Sequence, residues 1–156
     1  MATAELELAG TKGPSEPVRH ARASKMPRAV IQSTNECQPI IESVISAMAK
    51  EGYSDRDRMA VYLAIMEGIV NAVKHGNRGD RRKHVTVDCG VDGNEVFARI
   101  EDQGAGFDPG AVPDPRDPAN CERPSGRGLL LMRTHMTSVR FNERGNCVTM
   151  CKRRSA

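Results

Sequence analysis

The sequence predicts an α+β fold, a two-layer sandwich with helices on one face of a mixed, mostly antiparallel sheet. Three observations carry that expectation. Residues 55–76 repeat apolar side chains at helical spacing. Two pairs of alternating segments are each joined by short turns rich in Asp, Asn, Glu and Gly. Helical and strand patterns follow one another within 156 residues, the length of one ordinary domain.

Residues 1–27 mix Gly, Pro, Ser, Ala and both charge signs without periodicity, so they cannot bury a continuous apolar face and are expected to form a mobile tail. The domain is expected over 28–152, followed by a basic tail at 153–156. Ala29 to Gln32 forms a first strand, closed by Ser33, Thr34 and Asn35. A helix over 36–51 places Ile40, Ile41, Val44, Ile45 and Met48 at helical spacing, with Gly52 beyond its end. The long helix follows. Ser54 or Asp55 caps it, Val61, Ile65, Ile69, Ala72 and Val73 form its stripe, and Gly76 stops it.

His84 to Cys89 and Glu95 to Glu101 alternate in the manner of half-buried strands around the turn Asp92-Gly93-Asn94. Residues 103–128 are loop-like, with prolines at 109, 113, 115, 118 and 124, a length that marks a functional segment inside a compact domain. A helix over 128–136 and a hairpin of 138–142 with 147–152 complete the chain.

Composition narrows the function. Three Phe, two Tyr and no Trp leave the core to aliphatic residues and Met, and provide too few rings for a single-stranded nucleic-acid platform. A net charge of +3 does not demand a polyanionic partner. The basic runs 78–83 and 152–154 read as solvated faces. Five cysteines, an odd number with no Cys-x-x-Cys spacing, fit reduced thiols in a cytoplasmic protein. No apolar run approaches the roughly 18–20 residues of a membrane span.

Three motifs carry chemistry. Glu67, Asn71 and His75 recur every four residues and line up on one side of the long helix. An Asn oxygen suits a hard cation such as Mg²⁺, and a Glu one turn away can accept a proton from a hydroxyl or water. Asp102-Gln103-Gly104-Ala105-Gly106 follows a strand. Its carboxylate suits an exocyclic amine such as adenine's, and its glycines allow close backbone approach. Ser125-Gly126-Arg127-Gly128 opens a helix, where backbone N–H groups bind phosphate and Arg123 and Arg127 can add charge-assisted contacts. The order of elements and the missing Gly-Lys-Ser/Thr exclude a Walker P-loop.

Each motif alone is common; their order along one chain is not. Glu67 to Asn77, Glu101 to Gly106 and Ser125 to Leu129 together resemble the GHKL, or Bergerat-fold, ATPases, and within them the small anti-sigma-factor serine kinases of bacterial partner-switching systems. The resemblance spans about residues 28–152. It implies ATP and Mg²⁺ as cofactors, Asn71 as the metal-holding residue, and Asp102 as the acceptor of the adenine amine. It implies Gly104 and Gly106 beside the base, and Gly126 and Gly128 where a lid meets the phosphates. Glu67 becomes the general base for a serine or threonine hydroxyl on a protein substrate. His75, Arg123 and Arg127 complete the nucleotide-facing set.

The implied function is a serine/threonine kinase that binds a sigma factor and phosphorylates a STAS-type anti-sigma antagonist, with homodimerisation as in some relatives. Glu67 favours this over an ATP-gated binding module without phosphotransfer. A histidine-directed sensor kinase is disfavoured, because no upstream helix carries an acceptor His and that branch places Asn where Glu67 stands.

Overall fold

The computed structural model of the chain describes residues 24–25, 28–121 and 126–156. Arg123, Ser125 and the expected tail lie outside the described residues, apart from Ser24–Lys25. Ser24–Lys25 forms a short strand, β1, and Ala29–Ile31 forms β2. The helices are α1 (Gln38–Lys50), α2 (Asp55–Val70) and α3 (Arg127–His135). The remaining strands are β3 (Val85–Val91), β4 (Glu95–Glu101), β5 (Ser138–Phe141) and β6 (Cys147–Arg153). They form one sheet in the order β1-β3-β4-β6-β5, with β2 also on the edge of β3. The expectation of a mixed sheet narrows to a simpler result: every pairing is antiparallel.

Alternation along the strands decides which face is covered. Val85, Val87, Val96, Ala98, Ile100, Val148 and Met150 point inward and meet Ile41, Val44 and Met48 of α1, Val61, Ile65 and Ile69 of α2, and Leu129 and Met132 of α3. The opposite face carries polar side chains, among them Arg99, which pairs with Asp88 at 3.6 Å and with Glu101 at 2.6 Å. Gly68 lets α2 lie close to the sheet, since a Cβ there would sit 2.6 Å from Ile100 Cδ1. That packing offsets the roughly 0.5–1 kcal/mol of helix propensity a mid-helix glycine gives up.

Ser54 caps α2 by accepting from the Asp57 N–H at 3.1 Å. The helix differs from its expected form at the other end. Residues 71–76 open into a single π-helical turn, in which the Asn77 N–H reaches back five residues to the Ala72 carbonyl at 2.8 Å. Such turns recur at functional sites because one extra residue per turn re-aims the side chains around it. Here the helix end is drawn toward the sheet by the Asn77 carboxamide, which bonds to residues of two other segments.

Residues 153–156, expected as a basic tail, are partly tied down. Strand β6 runs through Arg153. Arg154 donates to the carbonyls of Glu51 and Gly93 and lies 5.8 Å from the Tyr53 ring centroid. Ser155 donates to Asp57 through its N–H (2.9 Å) and its hydroxyl (2.7 Å), and Lys152 stands 3.6 Å from the same carboxylate. Burial of Asp57 opposes its ionisation, but the Ser155 bonds and the Lys152 charge together hold its pKa below the usual carboxylate value. A depressed pKa makes this a stabilisation present above the ordinary carboxylate range and lost as pH falls through it. Asp57→Ala is expected to cost about 2–3 kcal/mol at neutral pH. Denaturant melts should show that cost shrinking toward pH 3; a cost that does not vary with pH would remove the ion pair from the account.

Candidate nucleotide site

The apolar stripe of α2 packs on the sheet, so the helix edge beside it looks along the strand ends. There a cleft of about 130 Å³ opens between α2, the exit of β4, α3 and the β5–β6 turn. Asn71, His75, Gly76, Asp102, Ala105, Gly106 and Asn146 bring backbone or polar groups to its wall. Ile100, Met132, Phe107, Phe141 and Val148 supply apolar surface. Phe107 and Phe141 meet edge to face, with centroids 5.2 Å apart, at the rim.

Asp102 is the buried charge of the cleft. One carboxylate oxygen accepts from the Gly104 N–H at 2.7 Å, closing a tight turn. The carboxyl group lies against Gly76, where a Cβ would come within 2.2 Å of Oδ2. Burial pushes its pKa up, against the Gly104 bond and the nearby Arg144 guanidinium. The ionised form, which accepts most strongly from an amine, is therefore lost at a higher pH than for a free Asp. Nucleotide affinity is expected to weaken on acidification before an exposed carboxylate would titrate, and calorimetry between pH 7 and pH 4 checks this. A flat profile would place the base contact elsewhere.

Gly104 and the glycine pair Gly106 and Gly145 hold the loop in backbone contact with its neighbours. A Cβ on Gly104 would meet the Gly76 carbonyl at 2.0 Å. Gly106 (φ +80) and Gly145 (φ +77) interlock: their Cβ positions lie 1.8 Å from the Arg144 carbonyl oxygen and 1.7 Å from the Phe107 carbonyl oxygen. A side chain at either would need both a left-handed backbone and a gap that is absent. Gly145→Ala is expected to cost more than about 2 kcal/mol and to weaken nucleotide binding with it. Wild-type stability in a melt would contradict the interlock.

At the other end of the cleft, the start of α3 covers the polar row of α2. A Cβ on Gly128 would lie 2.5 Å from Glu67 Oε2, 3.4 Å from Asn71 Nδ2 and 3.5 Å from Asn71 Oδ1. Glu67 and Asn71 are half-buried, and among the described residues their side chains and that of His75 have no hydrogen-bond or ion-pair partner. Asn71 thus offers an uncommitted oxygen beside a cleft, which fits Mg²⁺, a cation that takes one or two protein oxygens and completes its shell with water and substrate phosphate.

The expected residues do not all converge. Asn71, His75, Asp102 and Gly106 line the cleft, whereas Glu67, Gly104, Gly126, Arg127 and Gly128 stand behind or beside that wall. Arg127 donates to the Cys121 carbonyl at 3.0 Å. Gly126 takes φ +92 at the start of α3, packed on the Pro113 carbonyl. The sequence motifs assign no role to Asn77 and Asn146, both buried and both bonded to the Asp102 segment. Asn77 ends the Glu67–Asn77 motif and Asn146 ends a turn, and neither position carries a sign of burial in the sequence.

Comparison with known proteins gives the family. The family of histidine kinase-like ATPase domains matches residues 31–152. The chain belongs to that family. Among its relatives, the Serine-protein kinase RsbW of Bacillus licheniformis is 34% identical over 121 residues, covering 72% of this chain and 76% of its own. The Anti-sigma F factor of Clostridium perfringens (strain ATCC 13124) is 28% identical over 97 residues, covering 58% of this chain and 68% of its own. A solved structure of the RsbU and RsbW domains of Rv1364c from Mycobacterium tuberculosis aligns at a TM-score of 0.48 and 19% identity. It covers 83% of this chain, which spans 32% of that one. Membership makes ATP the expected ligand of the histidine kinase-like ATPase cleft. Among the described residues no helix is long and apolar enough to cross a membrane.

Proposed function

We propose that this chain is a cytoplasmic, ATP-dependent serine/threonine protein kinase and anti-sigma factor, which binds a sigma factor and phosphorylates a STAS-type antagonist. The observation that carries this is that Glu67 and Asn71 both stand against Gly128 at the start of α3, in a chain 34% identical to a serine-protein kinase.

Asp102 accepts the exocyclic amine of adenine, and the apolar wall of Ile100, Met132 and Val148 takes the base. Asn71 would hold Mg²⁺, which when bound would supply charge neutralisation at the phosphates. The N–H groups at the α3 N-terminus, together with Arg123 and Arg127, bind phosphate oxygens. Glu67 accepts the proton of the substrate serine or threonine as that oxygen bonds to the γ-phosphorus. The bond from phosphorus to the β,γ-bridging oxygen breaks, and ADP leaves. Positioning and charge neutralisation supply most of the rate, and the base completes the proton balance.

One observation favours the alternative, an ATP-gated binding module: Gly128 covers the Glu67 carboxylate, which does not line the cleft. Partner exchange tests the anti-sigma reading. With ATP and Mg²⁺ the chain should hold a sigma factor of its own genome on size exclusion. The unphosphorylated STAS protein should release it and the phosphorylated form should not. Failure to retain any sigma factor would move the proposal to another target.

A further inference from the structure

Four polar residues are buried among the described residues: Asp57, Asn77, Asp102 and Asn146. Three of them meet at one peptide segment. Asn146 accepts the Asp102 N–H on its own carbonyl at 2.9 Å and donates its Nδ2 to the Asp102 carbonyl at 2.8 Å. Asn77 holds the following peptide, its Oδ1 accepting from the Gln103 N–H at 2.8 Å. The Asn77 Nδ2 donates to the His84 carbonyl at 2.9 Å, and the His84 N–H donates to Gln103 Oε1 at 2.8 Å, closing a ring. The ring fixes the Asn77 amide in one orientation, because its two neighbours are a carbonyl and an N–H.

From this geometry we infer that Asn77 is a positioning residue for base selection: it sets where the Asp102 carboxylate stands without touching the nucleotide. Asn77 is 3% exposed and does not line the cleft, unlike Asn146, whose change would alter the pocket wall itself. It follows directly on the π-helical turn that carries Asn71 and His75. The same carboxamide therefore ties the helix end that faces the phosphates to the loop that faces the base. A buried amide that bonds two backbone groups of separate segments holds them in one register, and its loss leaves both groups unpaired. A hydrogen bond from adenine to Asp102 discriminates only if the carboxylate is held within a few tenths of an ångström, which is what a supporting shell supplies.

The inference rests on Asp102 as the base acceptor, so the experiment separates the two. Affinities for ATP and for purine riboside triphosphate, which lacks the 6-amino group, are measured by calorimetry with Mg²⁺. The full chain is compared with Asn77→Ala and Asn77→Asp. The wild type should prefer ATP by about 10- to 100-fold, the size of one hydrogen bond to a charged acceptor. Asn77→Ala should bring that preference to about threefold or less. Asn77→Asp, which keeps an acceptor for the Gln103 N–H, should retain most of it. A merely structural loss would weaken both nucleotides alike and leave their ratio unchanged, which would overturn the inference. No preference in the wild type would instead overturn Asp102 as the amine acceptor. If Asn77→Ala does not fold, Gln103→Ala carries the same test, because Gln103 is exposed and closes the ring from the other side. An unchanged ratio there would likewise overturn it.

Discussion

Glu67→Gln is expected to keep ATP affinity within about threefold of wild type and to lower phosphotransfer by about 10²–10⁴-fold, the usual contribution of a positioned general base. The substitution preserves shape and removes the ability to take a proton. Glu67 is half-buried against Gly128 and does not line the cleft, so the bound nucleotide should scarcely register the change. The readout is the split between an unchanged equilibrium constant for ATP and a reduced single-turnover rate. If both fall together, Glu67 shapes the fold or the phosphate end of the site and is not the base.

The second large effect is Asn71→Ala. Asn71 lines the cleft with a carboxamide that has no bonding partner among the described residues, so its removal deletes a ligand and leaves no buried group orphaned. Stability should change by less than about 1 kcal/mol, helped by the higher helix propensity of Ala. Mg²⁺-dependent ATP binding should fall at least about 100-fold, while the weak metal-free binding carried by Asp102 persists. Equal losses with and without Mg²⁺ would take Asn71 out of the metal shell; unchanged affinity would remove the site assignment.

The periodic elements were legible because burial on one face imposes spacing. The stripe from Val61 to Ile69 and the alternation along Val85 to Cys89 and Val96 to Ile100 each report a face pressed on the core. The family was legible for another reason, the order of Glu67, Asn71, Asp102 and the glycines along the chain, and the family that order suggested is the one that matches residues 31–152. The π-helical turn at 71–76 was not legible, since the bond from Asn77 back to Ala72 depends on partners at His84 and Gln103 that local spacing does not encode. The interlock of Gly106 with Gly145 was hidden similarly: both scan as ordinary turn glycines, and the contact joins segments about forty residues apart. Asn77, the last residue of the helix motif, and Asn146, the last of a turn, received no role because the sequence shows that a carboxamide is present and not which backbone groups will close around it.

The measurement that bears most directly on the account is transfer of labelled γ-phosphate from ATP, with Mg²⁺, to STAS-domain proteins of the same genome, with Glu67→Gln run beside the wild type. The account predicts acid-stable label on a serine or threonine of one such protein, absent with Glu67→Gln. ATP binding without any label on the partner would contradict it and leave the chain an ATP-gated binding module.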